Sequence, residues 1–375
     1  MGYAVGVSAK QIGRFVAVTG KAEVFSVHDH VVNLSGRPGV NVASDRDRAA
    51  KLPHEVPLFI SLVSRERDMT DLAIHVASLP QGVKPGDSVA WSDSPGEPAG
   101  GGATAHAIVT ASATRWNGSL AETPEIRRFR AILDGRNAKD SEVPAGSARP
   151  ADASGTLTEK LSGALAGALA ESATEESFRG VVLDREENPF AGRARAVVGA
   201  GSRGESGAGT DGAHRTAAEP GLGALVGLGI GFTPSGDDFL AGALLAERLL
   251  DREAIIPEAD RRAIAANLGK TTPGGRTLLW LALQGSFPAY LMEFAEAVAA
   301  AAAVTPGGIA GSASEGIAPA RAPDAAARGD FNPVVREACA TAFRHGETSG
   351  MDAISGFTWA LGRMLASLTG HRRRV

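Results

Sequence analysis

The sequence predicts an α+β protein, with a β-rich N-terminal domain followed by a mainly α-helical C-terminal domain. Short segments rich in Val, Ile and Phe, separated by turn residues, run from about residue 14 to residue 116. Leucines then recur every four residues from Leu157 to Leu169, which is a helical spacing. The length of 375 residues also exceeds that of a usual single domain.

Six N-terminal segments are predicted to form the strands of a mostly antiparallel β unit: Phe15 to Val18, Glu23 to Leu34, Leu58 to Ser64, Leu72 to Ala77, Ser88 to Trp91 and Ala107 to Thr114. Turn residues such as Lys84 to Asp87 separate them. A helix is predicted from Pro124 to Leu133. We therefore expect a β-rich domain over residues 1–136, and the polar Pro, Ala, Ser and Gly residues of 137–154 predict a linker.

The helical domain is predicted over residues 155–375. Its further helices are expected near 235–250, 257–268, 273–285, 287–304, 333–345 and 350–368. Two segments, near 201–219 and 305–329, are rich in Gly, Ala and Ser without periodicity. They are predicted to be flexible insertions.

Composition restricts the class of partner. A formal net charge of −4 and a pI near 6.1 predict neither nucleic acid nor an anionic membrane surface as a partner. The chain shows no secretory signal pattern and no apolar run of about 18 residues, so a cytoplasmic location is expected. The single cysteine, Cys339, has apolar neighbours at helical spacing and is predicted to be a buried, inert thiol.

The densest group of glycines lies in Gly227 to Asp238, GLGIGFTPSGDD, which leads into an apolar helix. Thr233 before Pro234 is typical of a helix start, and Ser235 with Asp238 has the spacing of a capping box. Three glycines at alternate positions allow a ligand or another chain to approach the backbone closely. The N–H groups and the dipole of a helix start favour an anion.

A short internal repeat strengthens this interpretation. The pattern Ser235-Gly236-x-Asp238-x-x-x-Gly242 recurs as Ser349-Gly350-x-Asp352-x-x-x-Gly356. It predicts that the two helix N-termini lie side by side, within about 10 Å of each other. Thr271-Thr272-Pro273 is a third helix start of the Thr-Pro type. Three such starts would converge on one anionic ligand.

Capping alone explains each of these residues singly, but it does not explain the clustered glycines, which favour function. The residues predicted to bind substrate are Gly229, Gly231, Thr233, Gly236, Thr271, Thr272, Ser349, Gly350 and Asp352. Ser235, Asp237 and Asp238 are the candidate catalytic residues. Because carboxylates compete with an anion for N–H groups, Asp237 and Asp238 would instead hold Mg²⁺ that bridges to phosphate, with Asp352 as a third oxygen ligand. Asp237, which has no capping-box partner, is the better candidate of the three. Magnesium is the one cofactor considered, and capping is the favoured role of Asp238 and Asp352.

Three other motifs are discounted. Gly269-Lys270-Thr271 lacks the upstream glycine of a P-loop, because Ile264 holds that position. Gly227 to Gly231 lacks the third glycine of a dinucleotide-binding site. His28-Asp29-His30, on a predicted strand, has no obvious third ligand for a metal.

At these same residues the sequence resembles a bacterial family that includes the AllH-type subunit of oxamate carbamoyltransferase. The segments that carry the resemblance are the central GLGxGxTPSGDDFLxG (Gly227 to Gly242), Ser-x₆-Asn-Leu (Ser26 to Leu34), the start at Thr271 to Pro273 and Thr-Ser-Gly-x-Asp (Thr348 to Asp352). Ile230 and Phe232 stand where the family usually has Pro and Leu.

The resemblance implies carbamoyl transfer in allantoin breakdown, where oxalurate and phosphate give oxamate and carbamoyl phosphate. It implies an enzyme of several different protein subunits, and it adds Asn33 to the candidate substrate-binding residues. A second hypothesis is a non-catalytic assembly or small-anion-binding subunit in nitrogen or purine catabolism. The sequence favours it in one respect, since no obvious nucleophile or histidine accompanies the central motif.

Overall fold

The computed structural model of the chain describes residues 7–17, 19–35, 58–93, 105–133, 161, 163–170, 189–203, 221–251, 255–303 and 332–372. Two compact units are present. Unit 1 comprises the described residues up to Leu120 together with residues 265–292, and unit 2 comprises those of 121–264 and from 293 onward. Strands in the N-terminal part and helices in the C-terminal half confirm the mixed α+β class.

Eight strands are described in unit 1: β1 (Val7–Gly13), β2 (Gly20–Val27), β3 (Val31–Ser35), β4 (Ile60–Val63), β5 (Ala73–Val76), β6 (Ser88–Ser92), β7 (Ala105–Val109) and β8 (Thr114–Trp116). Their order in the sheet is β5-β4-β3-β2-β6-β7-β1-β8, and β1 also pairs with β5. The sheet therefore closes on itself through β1.

The sheet is mixed rather than mostly antiparallel. Strand β1 runs parallel to β7 and β8, and parallel pairs also join β4 to β5 and β6 to β7. The other described pairs, β1 with β5, β2 with β3, β2 with β6 and β3 with β4, are antiparallel. The prediction was wrong because alternation of apolar residues identifies a strand but not the direction of its partner.

Three predicted strand segments also differ from the structure. One of them, Ala107 to Thr114, covers the end of β7, the turn at 110–113 and the first residue of β8. Residues Phe15 to Ala17 form a turn region after β1, where the Phe15 N–H donates to the Asp71 carbonyl oxygen at 2.9 Å. The segment Glu23 to Leu34 is divided into β2 and β3 by a hairpin that the bond from His28 N–H to the Val31 oxygen closes. His28 to His30 therefore lie in that hairpin and not on a strand.

The described helices with defined bounds are α1 (Pro124–Leu133), α2 (Pro189–Arg203), α3 (Ser235–Leu250), α4 (Glu258–Asn267), α5 (Pro273–Leu283), α6 (Ala289–Ala303), α7 (Asn332–Phe343) and α8 (Ser349–Arg372). Residues 161 and 163–170 are also helical. The sequence prediction missed α2, whose end occupies residues 201–203 of the predicted insertion. The rest of that insertion, the linker at 137–154 and the insertion at 305–329 lie outside the described residues. No helix of the described part has the length and apolarity needed to cross a membrane.

Residues 265–292 belong to unit 1 although their pattern is helical. Within this unit the Phe59 N–H donates to Thr277 Oγ1 on α5 at 3.0 Å. The Phe287 N–H donates to the Gly118 oxygen at 2.9 Å, and Ala289 packs with Met69 in a small apolar cluster. Helical periodicity alone contains no information about which unit a helix joins.

Helix α3 forms the centre of unit 2. All its residues except Arg248 are buried, as expected for a helix that is apolar on every side. It packs along α8, where Phe239 contacts Trp359. Helix α6 also contacts α8, through Phe294 and Phe357. The start of α3 follows directly from the central glycine motif, so the fold places this motif at one end of the helical core.

Candidate functional site

The glycine loop, residues 227–234, connects the short 3₁₀ helix Leu222–Leu225 to α3. Gly227, Gly229 and Gly231 have φ angles of 75°, 125° and 101°, which side-chain-bearing residues rarely adopt. A Cβ on Gly229 would lie 2.7 Å from the Ser235 nitrogen, whereas a Cβ on Gly231 would meet little. Gly229 is therefore required by both backbone angle and space, and Gly231 by backbone angle alone.

The capping prediction at α3 is wrong in both registers. Pro234 is the N-cap residue, no side chain caps the helix, and Ser235 is the first helical residue. The Asp237 N–H instead donates to the Pro234 oxygen at 2.8 Å. Thr233 does not cap α3, and its Oγ1 instead lies 2.9 Å from Ser349 Oγ.

Asp237 holds the loop against the helix. Its side chain is fully buried, and its Oδ1 accepts the Gly227 N–H at 2.8 Å. Within the described ranges, no three or more His, Cys, Asp or Glu side chains are grouped so that they would hold a metal ion. The structure thus gives no support for Mg²⁺ at Asp237 and assigns this carboxylate a positioning contact.

Gly236 is a packing residue. A Cβ there would overlap the Leu225 carbonyl oxygen, and the Gly236 N–H already donates to the Leu228 oxygen at 2.7 Å. The expectation that this N–H meets a ligand is therefore wrong. By contrast, the N–H groups of Gly229 and Gly231 donate to no acceptor in the described part of the chain. The binding of a substrate by these two N–H groups stays a prediction.

The second copy of the repeat has the same local design at the start of α8. A Cβ on Gly350 would overlap the Ala342 oxygen, and the Gly350 N–H donates to the His345 oxygen at 3.1 Å. Gly346 has a φ of 66°, and a Cβ there would lie 3.2 Å from Ser349 Oγ. Gly350 therefore corresponds to Gly236, and Gly346 corresponds to Gly229.

The structural repeat is thus longer than the sequence match. Six positions separate Gly229 from Ser235, but three separate Gly346 from Ser349. The first copy therefore has a longer loop, and this difference in length hides the correspondence of the two glycines in the sequence. The positive φ angle that they share is the feature that reveals it.

The two helix starts lie side by side, as the repeat predicts. A Cβ on Gly242 would overlap the Ala353 oxygen, and a Cβ on Gly356 would overlap the Phe239 oxygen. The glycines therefore allow the backbones of α3 and α8 to touch between one and two turns after their N-termini.

Three carboxyl groups are buried at these adjoining helix starts. Asp237, Asp238 and Asp352 have exposed fractions of 0%, 1% and 0%. Burial raises the pKa of Asp238 well above its ordinary value, and the neighbouring Asp352 and Asp237 raise it further. Hydrogen bonds from Ser349 and Thr233 oppose this rise in the pKa but do not cancel it. Asp238 Oδ2 has no hydrogen-bond partner among the described residues.

The remaining predicted site residues lie in unit 1. Thr272 caps α5 by accepting the Gly275 N–H at 3.0 Å, which confirms a helix start there. Thr271 is buried, and its oxygen accepts from Arg276 at 3.3 Å. The convergence of this start with those of unit 2 stays a prediction.

Asn33 joins three strands of unit 1 by polar contacts. Its Nδ2 donates to Ser26 Oγ at 3.0 Å, and Ser61 Oγ donates to its Oδ1 at 2.8 Å. Only 2% of Asn33 is exposed. These contacts give Asn33 a structural role across β2, β3 and β4, and its contact with a substrate stays a prediction.

The glycine loop, α3 and the start of α5 lie in one segment of the chain that is similar to a known family. Residues 225–310 match the family model of oxamate carbamoyltransferase subunit AllH. The AllH match confirms the resemblance for this segment, which contains the glycine loop but neither Asn33 nor the second copy of the repeat. No curated protein and no solved structure matches the chain.

Proposed function

We propose that the chain is an AllH-like subunit of a carbamoyltransferase-type enzyme and that its glycine loop binds a small anionic ureido or amide substrate. One observation carries the proposal. The backbone N–H groups of Gly229 and Gly231 donate to no acceptor among the described residues, and both glycines lie inside the segment that matches the AllH family model. The loop leads into the N-terminus of α3, whose dipole favours negative charge.

The chemistry of the loop suits oxalurate and phosphate as substrates and oxamate and carbamoyl phosphate as products. Each of them carries negatively charged oxygens that N–H and O–H donors stabilise. No Lys or Arg occurs between Gly221 and Glu247, so the chain meets an anion here with backbone and hydroxyl donors. Charge that develops on a carbamoyl oxygen during transfer would be stabilised by the same donors.

The buried side chains of the motif support the loop in this proposal. Ser235, Asp237 and Asp238, the predicted catalytic residues, are all buried. Asp237 binds the Gly227 N–H, and Asp238 interacts with the hydroxyls of Thr233 and Ser349. We assign these two carboxyl groups to positioning the donors.

A non-catalytic assembly subunit is the alternative, and one observation favours it. Ile230 and Phe232, at the tip of the loop, are 74% and 40% exposed, which is high for large apolar side chains. A partner subunit that covers this tip would bury both residues. In that case the glycines would serve contact between chains.

Thermal melting of the purified full chain separates the two functions. Phosphate, oxamate or carbamoyl phosphate is added, with sodium chloride at equal ionic strength as the control. Binding to the folded state stabilises it by about 2.7 kcal/mol at a ligand concentration of one hundred times Kd, so the melting temperature rises. If no anion raises the melting temperature and only a partner protein does, the assembly function is supported and the proposed function fails.

A further inference from the structure

A hydroxyl pair, Thr233 and Ser349, links the two copies of the repeat. The two oxygens lie 2.9 Å apart, and both residues are only partly buried. Both hydroxyls interact with the carboxyl group of Asp238, which is 1% exposed. A partly buried pair of hydroxyls therefore contacts a buried carboxyl group where the starts of α3 and α8 meet.

The number of hydrogens in this cluster decides what the hydroxyl pair offers to a ligand. Each hydroxyl has one hydrogen to donate and lone pairs to accept. When Asp238 is ionised it accepts hydrogen bonds only, so both hydroxyl hydrogens are used within the cluster. When Asp238 is protonated, it donates to one hydroxyl, and that hydroxyl donates to the other. The hydrogen of the second hydroxyl is then left to point outward.

The surroundings of Asp238 favour the protonated form. The charged groups that act on it are Asp352 on α8 and Asp237 on α3, and both are acidic. Arg248, the only cation on α3, lies at the far end of that helix, and Arg261 of α4 pairs with Glu247. Ionisation of Asp238 would place a buried negative charge beside two other buried carboxyl groups, and none of the groups that shift its pKa within the described part of the chain is a cation.

We propose, on the basis of the proposed function, that Asp238 is a positioning residue that carries a proton when the loop holds an anion and so turns a hydroxyl hydrogen of Thr233 or Ser349 toward an oxygen of that anion. The ligand class is a small oxyanion, such as the carboxylate of oxamate. The backbone N–H groups of Gly229 and Gly231 supply the other donors. Anion binding is then linked to the binding of one proton by the protein.

Calorimetric titration of oxamate into the full chain between pH 5 and pH 9 tests this linkage, since the oxamate carboxylate does not titrate in that range. The affinity is expected to be constant while Asp238 is protonated in the free protein. Above the pKa of Asp238 it should fall by up to about tenfold per pH unit, which is the limit for one linked proton. In that range, the heat in two buffers of different ionisation enthalpy should show uptake of about one proton per oxamate.

The Asp238→Asn variant sharpens the test, because its amide always has hydrogens to donate. Its affinity for oxamate should not change with pH, whereas Asp238→Ala should bind weakly at every pH. Glu258→Gln, the same change at an exposed carboxylate of α4, is the matched control and should keep the wild-type pH profile.

Oxamate binding by wild type without proton uptake and without a pH-dependent affinity would overturn the inference and leave the proposed function standing. An identical pH profile in wild type and Asp238→Asn would also overturn it. Failure of the wild-type chain to bind oxamate at any pH would overturn both.

Discussion

The two copies of the repeat differ mainly before their helices begin. Both place a glycine inside the first turn against a carbonyl oxygen, at Gly236 and Gly350, and both bury an aspartate, Asp238 and Asp352. Only the first copy has the longer loop with an exposed Ile230. The packing glycines that both copies share join α3 to α8, whereas the longer loop of the first copy carries the Gly229 and Gly231 N–H groups, which donate to no acceptor among the described residues.

The packing glycines should therefore control stability, and the loop glycines should control binding. The packing glycines have no room for a Cβ, so substitutions there strain the folded state. Gly231 has room for a Cβ and Gly229 does not, but both have φ angles that side-chain-bearing residues rarely adopt, so substitutions there act on local backbone angles.

The largest effect is expected at the glycines where α3 and α8 touch. Gly242→Ala or Gly356→Ala would place a Cβ on a backbone oxygen that cannot move without separating the helices. Each variant should lose about 3 kcal/mol of unfolding free energy in urea denaturation. Gly362→Ala, on α8 with no atom near the added Cβ, should gain about 0.5–1 kcal/mol from helix propensity. Equal effects at Gly242 and Gly362 would show that the helices do not touch at this point.

A smaller effect is expected from the buried carboxyl group that the two copies share. Because the folded-state pKa of Asp238 is raised, the folded protein binds more protons than the unfolded chain above pH 3.8, the ordinary value. The contribution of Asp238 to stability is therefore full below that pH and is lost as the pH rises through the folded pKa. The loss has a limiting slope of about 1.4 kcal/mol per pH unit. Urea denaturation at several pH values should show this slope in wild type and not in Asp238→Asn; a slope that persists unchanged would contradict it.

A further difference is expected between two glycines of the loop. Gly229→Ala combines an unfavourable φ with a close contact at the Ser235 nitrogen and should lower stability by about 2 kcal/mol. Gly231→Ala has the unfavourable φ alone and should lower stability by about 1 kcal/mol. Thermal melting of the two variants measures the difference. A reversed order would show that the space at Gly229 is not limiting.

The smallest effect is expected at Cys339 on α7, the helix before the second copy. Burial raises the pKa of this thiol to about 12, so it stays protonated at neutral pH. A thiol reagent at pH 8 should leave the folded protein unmodified and react once urea unfolds it. Rapid labelling without urea would show that α7 opens readily.

Sequence reasoning was most successful where periodicity is strong. The bounds of α1 and α3 and the contact of the two SGxD helix starts followed from apolar spacing and from the repeat. Sequence reasoning failed for features that depend on which other residues an element contacts. The direction of β6 and β7, the position of residues 265–292 in unit 1 and the cap of α3 depend on contacts that no local pattern records. The equivalence of Gly229 and Gly346 was hidden because the loops that follow them differ in length.

The affinity of Gly231→Val for oxamate shows whether the glycine loop binds the anion. Gly231 belongs to the loop alone, and its Cβ position is open, so the variant should fold while its side chain blocks the anion and changes the backbone angle. Gly82→Val is the matched control, since Gly82 also has a positive φ and an open Cβ position but lies in a turn of unit 1. Calorimetry should show oxamate affinity reduced by at least about tenfold in Gly231→Val, the effect of losing one hydrogen bond to a charged group, and unchanged in Gly82→Val. Wild-type affinity in a folded Gly231→Val protein would show that the glycine loop is not the anion site.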